Sequence, residues 1–319
     1  MNGVKSGTVV FLACVAALTR GALAARPDTA GSRLYVTSAA ASLVAQGLAA
    51  AAPTGAEGAT FQEVPHPGVR VLPNVARATN VPWVDSNGWR FQRGIQKARY
   101  ADLVAGAAPL AAAEAFAFHV DAILEPNPAD IQELGKMLRF LKTQNQPPLP
   151  VLANIGVVDD GSRQMGEVLN LLTRHNLLYR VVSAPDPRLD LTVQLGTPDF
   201  PKEAAENPYE FAARVRAKLG DDKRLVRLYG TSTMIARFIG DGTRARLYLL
   251  SYGGGRRPQG GNPQAVRVRL VGRYQPGRFA AYGAGPDARL TDLRNSANTT
   301  EFWVPDFSIA AIIDLDALQ

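Results

Sequence analysis

Val266-Arg267-Val268-Arg269-Leu270-Val271 (VRVRLV, residues 266–271) decides how the last third of the chain is read. Val266, Val268 and Leu270 alternate with Arg267, Arg269 and Val271. Successive side chains of a strand point to opposite faces, so this pattern predicts one buried and one mostly wet face. The same period of two recurs around it. It predicts strands at Leu225–Tyr229, Met234–Ile239, Arg244–Tyr252, Val266–Tyr274, Arg278–Tyr282, Thr300–Val304 and Ala310–Leu315. Asp241-Gly242 between two of these runs is a hairpin signal, because glycine accepts the positive φ of a tight turn. Short strands with Gly- and Pro-rich connections predict an antiparallel β-sandwich over residues 223–319.

Upstream, the period changes. Val151–Val158 is a continuous apolar run, the mark of a strand covered on both faces. A helix over Gly166–Leu172, strands at Tyr179–Ser183 and Leu189–Leu195 and a helix at Pro208–Leu219 follow. Strand alternating with helix predicts a small parallel α/β unit over residues 150–222. Pro147-Pro148-Leu149-Pro150 sets its front boundary. Before that boundary, residues 26–146 read as a short α/β region. Strands are expected at Arg33–Thr37, Val69–Leu72, Val81–Asp85 and Ala122–Leu124, with helices at Ala107–Val120 and after Asn127. Asn127 can cap the latter helix, Pro128 suits its first turn, and Ile131, Leu134, Leu138 and Leu141 form one apolar stripe.

The first 24 residues read as an export signal. Lys5 precedes the apolar run TVVFLACVAAL (8–18), and Ala22-Leu23-Ala24 offers a small-x-small cleavage site. The expected product is periplasmic or secreted, without a transmembrane span. Lipid anchoring at Cys14 is disfavoured because the preceding run is short. Cys14 is the single cysteine of the chain, so removal of the leader leaves no thiol. The chain carries 35 basic and 28 acidic residues. From Arg224 onward there are thirteen arginines, no lysine and seven acids, so the positive surplus belongs to the last hundred residues. Such a surface suits a glycan or an acidic envelope polymer, although arginines on solvated strand faces are the plainer reading. Export argues against nucleic acid.

Three segments carry a resemblance. NIGVVDDGS (154–162) with LDLTVQLG (189–196), and PYEFAARVRAKLGDDKRLVRLYG (208–230) running into the β-rich tail, resemble the rear half of bacterial β-galactosidase-type glycoside hydrolases. That family carries an amidotransferase-like, flavodoxin-like α/β domain and a terminal β-domain behind a catalytic (β/α)₈ barrel. The resemblance covers roughly residues 150–318 and implies an assembly role for the α/β unit, hence a homo-oligomer. In front, the chain is too short for a full barrel of about 250 residues. WVDSNGWRF (83–91) and the segment Ala122–Glu125 would be its remnants.

Several chemistries are excluded or weakened. Amidotransferase catalysis requires a cysteine nucleophile, and no G-x-S-x-G elbow replaces it. His66, His119 and His175 are scattered without metal-ligand spacing, and His175 near a helix end reads as a charge partner for the dipole. No cofactor is expected. Gly283-Ala284-Gly285-Pro286-Asp287-Ala288 fits a dinucleotide fingerprint only loosely and reads as a turn. The loop Gly253–Gly261, with Arg256 and Arg257, could hold an anion or simply connect strands.

Two candidate sites are left. Asp159 and Asp160 end a strand of the α/β unit, where they could meet a sugar or a cation; capping of the next helix by Asp160 or Ser162 is the alternative. Trp83, Asp85, Asn87 and Trp89, with Phe91, combine stacking faces with polar edges, as a sugar site requires, and core packing is the competing reading. Asp85 and Glu125 are the one acid pair nominated for glycoside hydrolysis. The expectation is a non-catalytic, exported, glycan- or envelope-associated protein. A reduced glycoside hydrolase using Asp85 and Glu125, or a purely structural assembly module, are the alternatives.

Overall fold

The computed structural model describes residues 32–74, 79–253 and 266–318. The leader, Cys14 and most of the Gly253–Gly261 loop lie outside them.

The N-terminal unit runs β1 (Leu34–Val36), α1 (Ala41–Ala45), β2 (Ala50–Ala51), α2 (Gly55–Gly58), β3 (Gln62–Val64), β4 (Gly68–Asn74), β5 (Thr79–Asp85), α3 (Gly88–Gln92), β6 (Lys97–Tyr100), α4 (Ala108–Ala117), β7 (Asp121–Leu124) and α5 (Ile131–Thr143). Five of its strands form one all-parallel sheet in the order β2-β1-β7-β6-β3. Read from β3, the strands follow one another in the cyclic order of a small barrel that is open between β2 and β3. The sheet curls accordingly. The Tyr35 ring on β1 meets Phe61 beside β3 edge-on at 5.7 Å, although β7 and β6 lie between them in the sheet. β4 and β5 form a separate antiparallel hairpin.

Helices α4 and α5 cover the convex face. α4 is rich in alanine, the best helix former, and all ten of its residues are buried. On α5, Leu134, Leu138 and Leu141 are buried as the 3-4-3 spacing predicts, and Met137 joins them. Each such side chain removed from water is worth roughly 1.5–3 kcal/mol. Asn127 accepts a hydrogen bond from Ala129 N–H, but Pro128–Asp130 is a 3₁₀ turn before the α-helix. Asp130 turns back to accept from Gly106 and Ala108 N–H at 2.7 and 3.2 Å, tying down the start of α4.

The middle unit comprises β8 (Ile155–Val158), α6 (Arg163–Arg174), β9 (Tyr179–Val182), β10 (Leu191–Gln194) and α7 (Pro208–Leu219). Its parallel sheet has the order β10-β8-β9, with β8 central and buried. Ser162 caps α6 by accepting from Met165 N–H at 3.0 Å. Asn207 caps α7, Pro208 occupies its first turn, and Gly220 ends it at φ +83°. β8 is shorter than the apolar run. Pro150 to Leu152 instead pair along the edge of a C-terminal strand, Leu152 N–H donating to Phe238 O and Gly240 N–H to Pro150 O.

The C-terminal unit holds β11 (Val226–Tyr229), β12 (Met234–Gly240), β13 (Arg244–Ser251), β14 (Val266–Val271), β15 (Tyr274–Ala281), β16 (Thr291–Ser296), β17 (Thr299–Val304) and β18 (Ala310–Ala317). Two antiparallel sheets, β11-β14-β17-β16 and β12-β13-β18-β15, face each other across a shared core that includes Val268, Phe302, Leu247 and Ile313. The expected hairpin at Asp241-Gly242 joins β12 to β13, with Gly242 at φ +94° and Asp241 Oδ1 accepting from Thr243 and Arg244 N–H. The run over 266–274 breaks at Gly272, and Tyr274 starts β15. An eighth strand, β16, goes beyond the seven expected, because all six of its side chains are exposed and it carries no apolar alternation.

The second sheet is covered on both faces along β12 and most of β13 and β18. Its outer face contributes Ile235, Ile239, Tyr248, Leu250 and Ile312 to the core of the N-terminal unit, where Tyr248 meets Phe116 of α4 edge-on at 6.2 Å. Every residue of β12 is therefore buried.

Candidate functional site

The carboxyl ends of the parallel N-terminal strands surround a groove of about 1090 Å³. Tyr35, Ile123, Arg99 and Glu63 are in register across β1, β7, β6 and β3, so they share the concave face of the sheet. Of these, Ile123, Arg99 and Glu63 line the groove, with Phe61 as apolar floor and Thr37, Ser38 and Thr54 beside them. Glu125, just past β7, also lines it, and accepts from Arg99 Nε at 2.6 Å. The open seam between β2 and β3 is what gives the groove its width: Ala51 and Ala52 stand on one side, Phe61 and Glu63 on the other. A concave, mainly apolar wall with a few convergent polar groups is the usual make-up of a small-molecule site.

Most of the residues singled out from the sequence lie elsewhere. Asp85 ends β5 and is paired with Arg70 across the hairpin, Nη2 to Oδ1 at 2.8 Å. It does not line the groove that Glu125 lines, so the nominated acid pair is split between two places. Asn87 is buried, with its backbone N–H and side-chain amide both spent on Glu114. Trp83 and Trp89 are half-buried against the core of the middle unit. The Arg174 guanidinium lies 3.7 Å from the Trp83 ring centre and that of Arg90 4.3 Å from the Trp89 ring centre. Each indole thus has one face stacked by a cation of the protein itself. Asp159 receives two hydrogen bonds from Arg93, at 2.7 and 2.8 Å, and a third from Gly161 N–H. Asp160 accepts from Ser162 N–H at 2.9 Å, and these bonds to Ser162 hold its carboxyl below the usual range.

Trp83, Trp89 and Asp159 are therefore brought together, through α3 and the start of α6, as the seam between the N-terminal and middle units. Close packing explains the arrangement: a Cβ added at Gly166 would stand 3.1 Å from the Trp89 ring. His175 also departs from expectation. Burial, then the nearby Arg174, Arg224 and Arg216, pull its pKa down to about 4, so it is neutral at pH 7 and gives no charge to the helix dipole.

One polar centre escaped the sequence reading. Glu114 of α4 is fully buried and its carboxylate accepts five hydrogen bonds, from Ser86 Oγ (2.9 Å), Asn87 N–H (2.7 Å), Asn87 Nδ2 (3.1 Å), Tyr100 OH (2.7 Å) and Tyr252 OH (2.6 Å). Burial, with the neighbouring carboxylate, pushes both tyrosines well above their ordinary pKa. The available signal was a single acid inside an otherwise apolar, Ala-rich helix. Among the described residues, no group of three His, Cys, Asp or Glu side chains is placed to hold a metal, and no helix is long and apolar enough to cross a membrane.

No family model matches the chain, and no curated protein sequence matches it. Solved structures do. Alpha-L-fucosidase isoenzyme 2 from Paenibacillus thiaminolyticus superposes with a TM-score of 0.50 at 8% identity, over 67% of this chain and 57% of that one. Gan42B, a GH42 beta-galactosidase, aligns at 7% identity over 79% of this chain and 53% of that one, with a TM-score of 0.36. The chain spans a little over half the length of these enzymes. At such identity the fucosidase likeness is one of fold alone, a distant glycoside-hydrolase-like architecture.

Proposed function

We propose that the protein is an exported, glycan- or envelope-associated binding protein that cleaves no glycosidic bond, and that its ligand lies in the groove at the carboxyl ends of the N-terminal strands. The observation that carries this reading is the groove itself. Barrel-like parallel sheets bind their ligands at this end, and here the seam between β2 and β3 leaves it open. Ile123 and Phe61 suit the apolar face of a sugar ring. Glu63, Arg99, Glu125 and the neighbouring hydroxyls suit its hydroxyl groups. The fold shared with glycoside hydrolases supports a carbohydrate over other ligands of this size.

The way the acids are held supports a reading without cleavage. A glycosidase needs one carboxyl kept protonated and a second close by. Glu125 is ion-paired to Arg99, and Asp85 to Arg70 in a different part of the unit. The middle unit, resembling an amidotransferase-like domain without its cysteine, then serves as a structural module. One observation favours a second reading, a reduced hydrolase: Glu63 lines the same groove as Glu125.

Calorimetry with a panel of oligosaccharides, together with a hydrolysis assay on the same panel, decides between them. Binding that is lost in Arg99→Ala, without release of free sugar, is the expected result. Hydrolysis abolished by Glu63→Gln or Glu125→Gln would establish the second reading, and no binding to any glycan would remove both.

A further inference from the structure

A second cavity, of about 350 Å³, opens at the opposite end of the same parallel sheet, where the three units meet. Gln92, Gln96 and His119 reach it from the N-terminal unit, Arg180 from β9 and Arg237 from β12. Arg237 dominates its chemistry. The residue is 9% exposed, its Nη1 donates to Gln92 Oε1 at 3.0 Å, and its Nε has no hydrogen-bond partner. Among the described residues no carboxylate reaches it, and its guanidinium rests 4.9 Å from the centre of the Phe118 ring. Ser32 Oγ, on the same cavity wall, is buried and likewise unpartnered.

A guanidinium removed from water costs several kcal/mol unless a charge or a full set of acceptors replaces the water. Two other arginines show what a full acceptor set looks like. Arg93 has Asp159, and Arg246, also buried, has Asp314 and the Gln144 carbonyl. At Arg237 the chain supplies one amide oxygen, next to a cavity that a second arginine also lines. Burial lowers the Arg237 pKa to about 10, which still leaves it cationic at neutral pH.

We propose that this three-way junction is a binding site for a small organic anion, with Arg237 as the buried counter-charge to its carboxylate or phosphate and Arg180 as the outer contact. Planar guanidinium donors match both oxyanions. The side-chain amides of Gln92 and Gln96 and the apolar Phe91 and Phe118 suit a sugar-like body, so the class is an acidic monosaccharide, a uronate or a sugar phosphate. The volume falls at the small end of ligand cavities. The site is independent of the groove, since the two share no lining residue.

Thermal unfolding of the protein with millimolar glucuronate, glucose 6-phosphate, inorganic phosphate or glucose tests this. At least one of the two sugar anions is expected to raise Tm by about 2–5 °C, with glucose having no effect. Which of them acts separates a carboxylate ligand from a phosphate ligand. Arg237→Met should abolish the shift, and Arg180→Gln, on an exposed side chain, should weaken apparent affinity about tenfold while leaving the ligand-free Tm unchanged. Should Arg237→Met not fold, calorimetry on Arg180→Gln decides alone. No response to either sugar anion, an equal response to glucose, or a response undiminished in both variants overturns the proposal. A shift with inorganic phosphate alone would reduce the site to a bare oxyanion pocket and also overturn the sugar-like ligand.

Discussion

Glu114 and Arg237 are both charges buried where the N-terminal unit meets the sandwich, and the chain treats them in opposite ways. Glu114 is saturated by five donors from the loop before α3, from β6 and from the residue after β13. Arg237 keeps an unpartnered Nε beside an open cavity. A buried charge whose partners all come from the chain fastens units together; one left short of partners beside empty space is poised for something from outside. The same contrast runs through the two ends of the parallel sheet, where one cavity is lined by an internal ion pair and the other by arginines without acids.

The largest effect that can break this comparison is at Glu114. Glu114→Ala removes the acceptor from two tyrosine hydroxyls, an amide and a backbone N–H at once. Urea unfolding should show a loss of about 3–5 kcal/mol. A change under 1 kcal/mol would mean that the cluster is not the fastener described. Arg237→Met should move the other way, neutral to about 1–3 kcal/mol more stable without ligand, because a desolvated charge is exchanged for an apolar side chain of similar length. Destabilisation comparable to that of Glu114→Ala would show that Arg237 is structurally satisfied after all.

A pH dependence sharpens the picture at a third buried group. His175 titrates near 4 when folded against about 6.5 when unfolded. Between these values the unfolded chain binds the extra proton, so stability rises with pH there. The contribution is fully present above pH 6.5 and is lost as pH falls toward 4. Discounted for partial exposure, it amounts to about 1–2 kcal/mol. In thermal melts, relative to His175→Gln, which does not titrate, wild type should lose this stability between pH 6.5 and pH 4 and keep a constant offset above pH 6.5. Smallest is Tyr252→Phe, which deletes one donor to Glu114 and should cost about 1 kcal/mol.

What could be read from the chain alone follows the same physics. α7 was legible to its ends because Asn207, Pro208 and Gly220 are local signals. The β12–β13 hairpin was legible because Asp241-Gly242 is a two-residue turn between apolar runs. The strands β2, β3 and β6 of the parallel sheet were not. They are two to four residues long, and on the concave face β3 and β6 carry Glu63, Lys97 and Arg99, so apolar periodicity is absent. The groove inherits that silence. Of its polar residues only Glu125 stood out in the sequence, while Glu63 and Arg99 reach it by strand register. Trp83 and Trp89 were conspicuous as aromatic residues near polar ones, yet that composition serves a packed seam as well as a sugar site, and only the arginines over their rings distinguish the two. Glu114 needed partners 14 and 138 residues away before it meant anything.

The central claim, a glycan held at the carboxyl ends of the barrel-like strands, is tested most directly by hydrogen exchange. Amide protection is measured with and without a saturating oligosaccharide from the panel above. The account predicts new protection at Thr37–Ser38, at Thr54–Gly55 and around Glu125, and none across 83–91. Protection confined to Trp83–Phe91, or no change along the groove with ligand bound, would contradict it.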